Sequence, residues 1–187
     1  MRIVAGLHKG KRISYPEGDK TRPTRDKVRE SVFNILEHAP WSDGLEGARV
    51  IDVFAGTGAL GLESLSRGAE EVIFIEQDRF ALSCCEENIK NLRVAEQSKI
   101  IKKDALNLSF RSEHIEKRDV IFLDPPYRKD LGEKALEQLI KGDWIAEGAT
   151  VVFEMAKAYP EQIPSQFELI DERNYGIAQI KFLKFKG

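Results

Sequence analysis

Asp124-Pro125-Pro126-Tyr127 brings together the groups in this chain best suited to chemistry. The tetrapeptide follows Val120–Leu123, an apolar run of strand length, and its two prolines end that strand, remove two backbone donors and stiffen the turn. A carboxylate, a prolyl carbonyl and an aromatic face are thereby held at the C-terminal end of a strand, where open α/β sheets bind ligands. The set suits a flat base carrying an exocyclic amine. Tyr127 would stack on the ring, while Asp124 and the Pro125 carbonyl accept the amine hydrogens. Drawing on those hydrogens localises a nitrogen lone pair that is otherwise delocalised into the ring, and the amine becomes a nucleophile. Taken alone, the tetrapeptide is equally a strand-ending turn with a surface tyrosine.

A second stretch gives that chemistry a cofactor. Val50 to Gly61 reads as a strand, a tight glycine turn and a helix start, with Gly56, Gly58 and Gly61 in the spacing G-x-G-x-x-G and Glu76 ending the next strand about 20 residues on. This arrangement favours an adenosine-containing cofactor. A dinucleotide would set its pyrophosphate against the helix N-terminus, and Asp52, four residues before the first glycine, would repel it. S-adenosylmethionine has no phosphate and offers an ammonium and a sulfonium, which an acid near the loop favours. Asp104, after the third strand, could accept from the adenine amine; as a helix cap it would need no ligand at all.

These residues must be positioned by alternating strands and helices, the pattern of a parallel sheet covered on both faces. Strands are expected at Arg49–Phe54, Glu71–Glu76, Lys99–Lys102, residues 119–123 and Thr150–Glu154. Helices are expected at Ala59–Arg67, from an Asp78 cap to about Leu92, and at Leu131–Lys141, the last stopped by Gly142. Phe167–Glu172 and Ile177–Phe185 are joined by too short a link for a parallel crossover and must pair as an antiparallel hairpin. Ahead of the alternation, Arg2–Ala5 and Lys11–Tyr15 flank a turn containing Gly6 and Gly10. Thr24 is placed to cap a helix whose apolar stripe is Val28, Val32, Ile35 and Leu36.

The chain has 187 residues, enough for one domain of ordinary size with a small appendage. No apolar run approaches the roughly 20 residues of a membrane span, and the N-terminus lacks a signal-peptide core, so a cytoplasmic protein is expected. Cys84 and Cys85 are adjacent, which suits neither a disulfide nor a metal site; one should pack and the other be partly exposed. The net charge of −2 conceals an asymmetry: residues 1–29 hold nine Lys/Arg against three Asp/Glu, a net +6, while the rest holds 20 against 28, a net −8. A basic arm on an acidic body is the pattern of a protein whose one end meets a polyanion. The arm could also be only a solvated basic hairpin.

Asp-x-Phe-Ala-Gly-Thr-Gly from Asp52 to Gly58, Glu76, Asp104 and Asp-Pro-Pro-Tyr together resemble the class I S-adenosylmethionine-dependent methyltransferases that act on amino groups of nucleobases. With Gly6-Leu7-His8-Lys9-Gly10-Lys11, Arg22-Pro23-Thr24 and Asp26–Glu30 included, the chain resembles, over nearly its whole length, the RsmD family, which methylates the 2-amino group of a guanine in 16S ribosomal RNA. The resemblance implies a Rossmann-like class I methyltransferase fold, with a seven-stranded, mostly parallel sheet, a C-terminal antiparallel β-hairpin and a small N-terminal β-hairpin. It implies that Asp52, Phe54, Gly56, Gly58, Glu76, Asp104 and Ala105 hold S-adenosylmethionine and that Asp124, Pro125, Pro126 and Tyr127 hold the base. No metal is expected. Residues 1–40 would form an RNA-binding appendage, using Lys9, Lys11, Arg12, Arg22, Thr24 and Arg25, and 41–187 the methyltransferase domain. The part of Arg22, Thr24 and Arg25 is inferred mostly from charge. The expected partner is 16S ribosomal RNA, in the small subunit or an assembly intermediate, engaged by a monomer. Competing readings are N6-adenine methylation of DNA or RNA, an inactive RNA-binding protein of the same fold, and a nicotinamide oxidoreductase, which Asp52 disfavours.

Overall fold

The computed structural model describes residues 1–15, 23–127 and 130–187, and the side chains of all of these except 23–26. Arg22 thus lies outside the described residues, as do the side chains of Thr24 and Arg25. The elements run α1 (Pro23–His38), β1 (Arg49–Val53), α2 (Ala59–Ser66), β2 (Glu71–Glu76), α3 (Arg79–Leu92), β3 (Ser98–Lys102), β4 (Arg118–Leu123), α4 (Leu131–Lys141), β5 (Ile145–Ala156), β6 (Phe167–Tyr175) and β7 (Ala178–Phe185). One seven-stranded sheet has the order β3-β2-β1-β4-β5-β7-β6. Neighbours from β3 to β5 are parallel, and β7 runs antiparallel to both β5 and β6. The expected fold class is therefore the one observed.

Strand periodicity divides the core in two. Val50, Val72, Phe74, Val120 and Phe122 point to the face that also buries Phe33, Leu36 and Leu62 of α1 and α2. Ile51, Val53, Ile73, Ile75, Ile121 and Leu123 point to the other, against Leu136 and Leu139 of α4. Because both faces are covered, the central strands read as continuous apolar runs rather than alternating ones. Asp52 interrupts the run of β1, a carboxyl at 1% exposure.

Local signals place most boundaries. Asp78 caps α3 by accepting from the N–H groups of Phe80 and Ala81, and α4 has the expected bounds. Helix α1 begins at Pro23, a position that needs no N–H, so Thr24 falls inside the helix instead of capping it. Strand β5 starts five residues earlier than Thr150, because Ile145 pairs with Arg118 across a register shift. The β6–β7 hairpin is longer than expected, since Arg173↔Ile180, Asn174↔Gln179 and Tyr175↔Ala178 continue the ladder to a two-residue turn at Gly176-Ile177. Cys85 is buried and Cys84 partly exposed. Among the described residues no helix is long and apolar enough to cross a membrane.

The N-terminal hairpin is reduced to a single bridge, Arg2↔Arg12, supported by Ile3 N–H to Lys11 O and Ile13 N–H to Met1 O. Ile3 and Ile13 are nonetheless in the same apolar cluster as α1, α2 and the sheet. The hairpin is held on α2 by Glu63, wholly buried, which accepts from the Val4 and Ala5 N–H groups at 2.8 and 3.0 Å and from Arg67 at 2.8 Å. Gly6 packs so closely on α2 that a Cβ would sit 1.7 Å from the Ser66 carbonyl oxygen. Arg29, counted above among the basic charges, is 5% exposed and donates to the Arg2 carbonyl, so that charge serves the fold instead of facing a partner.

Candidate active site

The chain moves outward from β1 through β2 to β3, then returns to place β4 on the other side of β1. Such a reversal opens a crevice beyond the C-terminal strand ends, where the connecting loops part in opposite directions. Register places the candidate residues there together. Val53 pairs with both Ile75 and Leu123, and Glu76 pairs with Lys102. Phe54, Glu76, Asp104 and Asp124 therefore lie at one edge of four adjacent strands.

The glycine loop is held by two carboxylates. The Gly56 N–H donates to Glu76 Oε2 at 2.8 Å, and the Gly61 N–H donates to Asp52 Oδ2 at 2.9 Å. Phe54, Gly56 and Gly58 adopt positive φ angles of 62°, 57° and 79°. For Phe54 this is a strained conformation in the turn leaving β1. A Cβ on Gly61 would lie 2.3 Å from the Phe74 ring, so this glycine permits α2 to pack on β2. A Cβ on Gly56 would meet nothing within 4 Å; the loop there faces open space. Burial pushes the Asp52 carboxyl up to about 8, with the Gly61 N–H opposing and the Glu76 charge adding to the rise.

Glu76 also holds its own turn. Its Oε1 accepts from the Gln77 and Asp78 N–H groups, both at 2.8 Å. With two lone pairs per oxygen, Oε2 retains one for a ligand while Oε1 is filled. Asp104 Oδ1 accepts from the Leu106 N–H and Oδ2 from the Asn107 side chain, both at 3.0 Å, so it caps a short 3-10 turn that begins at the buried Ala105. Across the crevice, Pro125 is buried while Asp124 and Pro126 are exposed. Tyr127 is 40% exposed and its hydroxyl donates to Glu154 Oε1 of β5 at 2.7 Å. Lys9, Lys11 and Arg12 are exposed on the hairpin. No group of side chains suited to hold a metal ion occurs among the described residues.

Three residues escaped sequence reasoning. Glu154 holds Tyr127, Glu63 holds the hairpin, and Asn88, 1% exposed in α3, bonds both the hairpin and the glycine loop. Asn88 had a legible signal: it is a polar residue on the apolar stripe Leu82, Cys85, Ile89 and Leu92. Glu154 and Glu63 had none. A cleft of about 720 Å³ at the opposite edge of the sheet, lined by residues including Arg49, Glu116 and Asp119, is far from this set. There Arg49 lies 2.9 Å from Asp119 and 3.4 Å from Glu116.

The sheet order, its antiparallel last strands and the glycine loop beside an acidic second strand define the Rossmann-like fold of the class I methyltransferases. Solved structures agree: a putative methyltransferase of Escherichia coli superposes with a TM-score of 0.83 at 29% identity, covering 100% of this chain and 98% of its own. A putative methylase of Haemophilus influenzae does so at 0.80 and 28%, with the same coverage. Residues 1–184 match the family described as Conserved hypothetical protein 95, and the chain belongs to that family, the RsmD family of its sequence resemblance. It is 32% identical to ribosomal RNA small subunit methyltransferase D of Haemophilus influenzae over 97% of this chain and 92% of that one. To a putative rRNA methyltransferase of Bacillus subtilis it is 33% identical over 100% of both.

Proposed function

We propose that this protein transfers a methyl group from S-adenosylmethionine to the exocyclic 2-amino group of a guanine in 16S ribosomal RNA. The observation that carries this reading is the placement of Asp124-Pro125-Pro126-Tyr127 beside the Glu76-tethered glycine loop, at the reversal point of the sheet. The names of its relatives support RNA as the substrate.

The residues present fit this cofactor and disfavour a dinucleotide. A pyrophosphate would need the N–H groups around the start of α2, and those of Gly56 and Gly61 are already given to Glu76 and Asp52. When bound, S-adenosylmethionine supplies a methyl group made electrophilic by its sulfonium. Glu76 Oε2 keeps an acceptor for a ribose hydroxyl, and Asp52, its carboxyl raised to about 8 by burial, anchors the loop through the Gly61 N–H. Phe54, Gly58, Asp104 and Ala105 complete the floor and rim. Tyr127 offers its face to the guanine ring while Glu154 fixes its hydroxyl. Asp124 and the Pro125 carbonyl accept from the amine, aim its lone pair across the crevice and stabilise the positive charge that develops as nitrogen attacks. Residues 1–40 supply the RNA contacts, through Lys9, Lys11, Arg12, Arg22, Thr24 and Arg25, and 41–187 the transferase. The protein works as a monomer on the small subunit or an assembly intermediate.

The test is incubation with radiolabelled S-adenosylmethionine and small subunits, or their naked RNA, from cells lacking this protein, followed by nucleoside analysis. Label in N2-methylguanosine is expected. Label in N6-methyladenosine, or none, would overturn the proposal.

A further inference from the structure

The amide of Asn88 stands between the two ligand-binding parts of the molecule. Its Oδ1 accepts from the Ser14 N–H at 2.7 Å, and its Nδ2 donates to the Ser14 carbonyl at 3.1 Å and the Thr57 carbonyl at 3.0 Å. Both amide hydrogens and the oxygen are used, which settles the orientation of the group without ambiguity. Thr57 is the residue between Gly56 and Gly58, so Asn88 holds the peptide at the tip of the glycine loop. One helical turn earlier, Cys85 backs the same loop: a Cβ on Gly58 would come within 2.8 Å of its sulfur. Ser14 lies in the downstream half of the hairpin, shortly after the exposed basic residues Lys11 and Arg12. Its upstream half is fixed elsewhere, by Glu63 and by Ser66, which donates to the Ala5 carbonyl at 2.5 Å and accepts from the His8 N–H at 2.9 Å. Ser14 thus joins the basic hairpin to the cofactor loop through one buried side chain.

We propose that Asn88 is a positioning residue that couples the arm to the cofactor loop, so that cofactor and ribosomal RNA bind cooperatively. This rests on the reading above that the arm meets RNA. A buried amide that loses one carbonyl partner must leave a donor unsatisfied or reorient, and either change disturbs the other partner. Linkage then requires that each ligand tighten the other by the same factor.

The test uses the intact protein, S-adenosylhomocysteine and 16S ribosomal RNA. In the parent, the nucleoside should tighten RNA binding at least about fivefold, the lower end of ordinary coupling. Asn88→Ala should reduce that factor to within about twofold, whatever it does to the affinity for either ligand alone, because the factor is a ratio taken within the variant. A purely structural Asn88 would lower the melting temperature and leave the factor intact, which would overturn the proposal, as would absence of coupling in the parent. Amide hydrogen exchange on the parent needs no variant: S-adenosylhomocysteine should slow the Ser14 amide as well as those of Gly56 and Gly61. An unchanged Ser14 beside a protected Gly56 removes the link itself. Separately, parental RNA affinity in Arg22→Ala/Arg25→Ala would remove the arm as the RNA-binding end, a failure distinct from that of the link.

Discussion

Replacing Glu76 tests how the proposed cofactor site is built, because the proposal has its carboxylate serve a ligand as well as the loop that it holds through the Gly56 N–H. In Glu76→Ala the Gly56, Gln77 and Asp78 N–H groups all lose an acceptor that lies at 2.8 Å in the parent. Hydrogen bonds to a charged group contribute about 1.5–3 kcal/mol when sheltered, and roughly 1 kcal/mol each is reasonable here because water can replace part of the loss at a half-exposed site. Adding the missing ribose contact, S-adenosylmethionine should bind about 2–4 kcal/mol more weakly, or roughly 30- to 700-fold. The ligand-free protein should melt lower by about 4–8 °C if some 2 kcal/mol of loop stability is lost. Glu76→Gln separates the two roles. Its amide keeps one oxygen, and if that oxygen stays on the Gln77 and Asp78 N–H groups, the NH₂ confronts the Gly56 N–H, donor against donor. Gln should therefore bind at least about tenfold more weakly, since one lost bond near 1.4 kcal/mol is a tenfold change. A residue that only met the ribose would tolerate Gln, which can both accept from and donate to hydroxyls. Calorimetric titration of both variants, with melting curves of each without ligand, reads the two quantities independently. Binding by Glu76→Gln within threefold of parent would refute the reasoning.

Other expected outcomes follow from single residues. Asp124→Asn keeps an acceptor for the amine but no charge, so single-turnover methyl transfer should fall by roughly 10²–10³-fold, with S-adenosylmethionine affinity within about threefold; a parental rate would return Asp-Pro-Pro-Tyr to a turn. Tyr127→Ala should weaken RNA binding by about 1–3 kcal/mol through loss of a stacking face. Tyr127→Phe removes the hydroxyl that bonds Glu154 but keeps the ring, and should stay close to parent in binding while reacting more slowly, which parallel binding and single-turnover measurements would show. Asp52 has a carboxyl raised to about 8 in the fold and an ordinary value near 3.9 when unfolded. Between those values the unfolded chain has released the proton that the folded one retains. Its contribution is therefore complete below about pH 4 and is lost as pH rises through about 8, with a slope of up to ~1.4 kcal/mol per pH unit. Melting of the ligand-free protein from pH 5 to 8.5 should show that fall, and Asp52→Asn, which still accepts from Gly61, should flatten it. Equal pH dependence in the two proteins would assign the slope to other groups.

What the amino-acid order determined by itself is whatever short-range chemistry decides. Asp78 caps α3 through N–H groups two and three residues away, the prolines at 125 and 126 end β4, and the apolar runs at β1, β2 and β4 are strands because side chains on both faces are buried. The glycine spacing from 56 to 61 and the acid at 76 were legible for the same reason, being local demands of one turn and one strand end. Charge pointed to an arm, but not to Arg29 turning inward beside Glu63 at 3.9 Å, because the carboxylate comes from 34 residues downstream. Tertiary structure alone decided the length of β5 and of the β6–β7 hairpin, whose polar ends are strands only because a neighbour supplies hydrogen bonds. It also decided that Glu154 should hold Tyr127 from 27 residues away, and that Asn88 should join Ser14, 74 residues before it, to Thr57, 31 before it. A side chain's nature states which partners it needs; which partners it meets depends on how distant segments are brought together when the sheet and its helices close over a shared core.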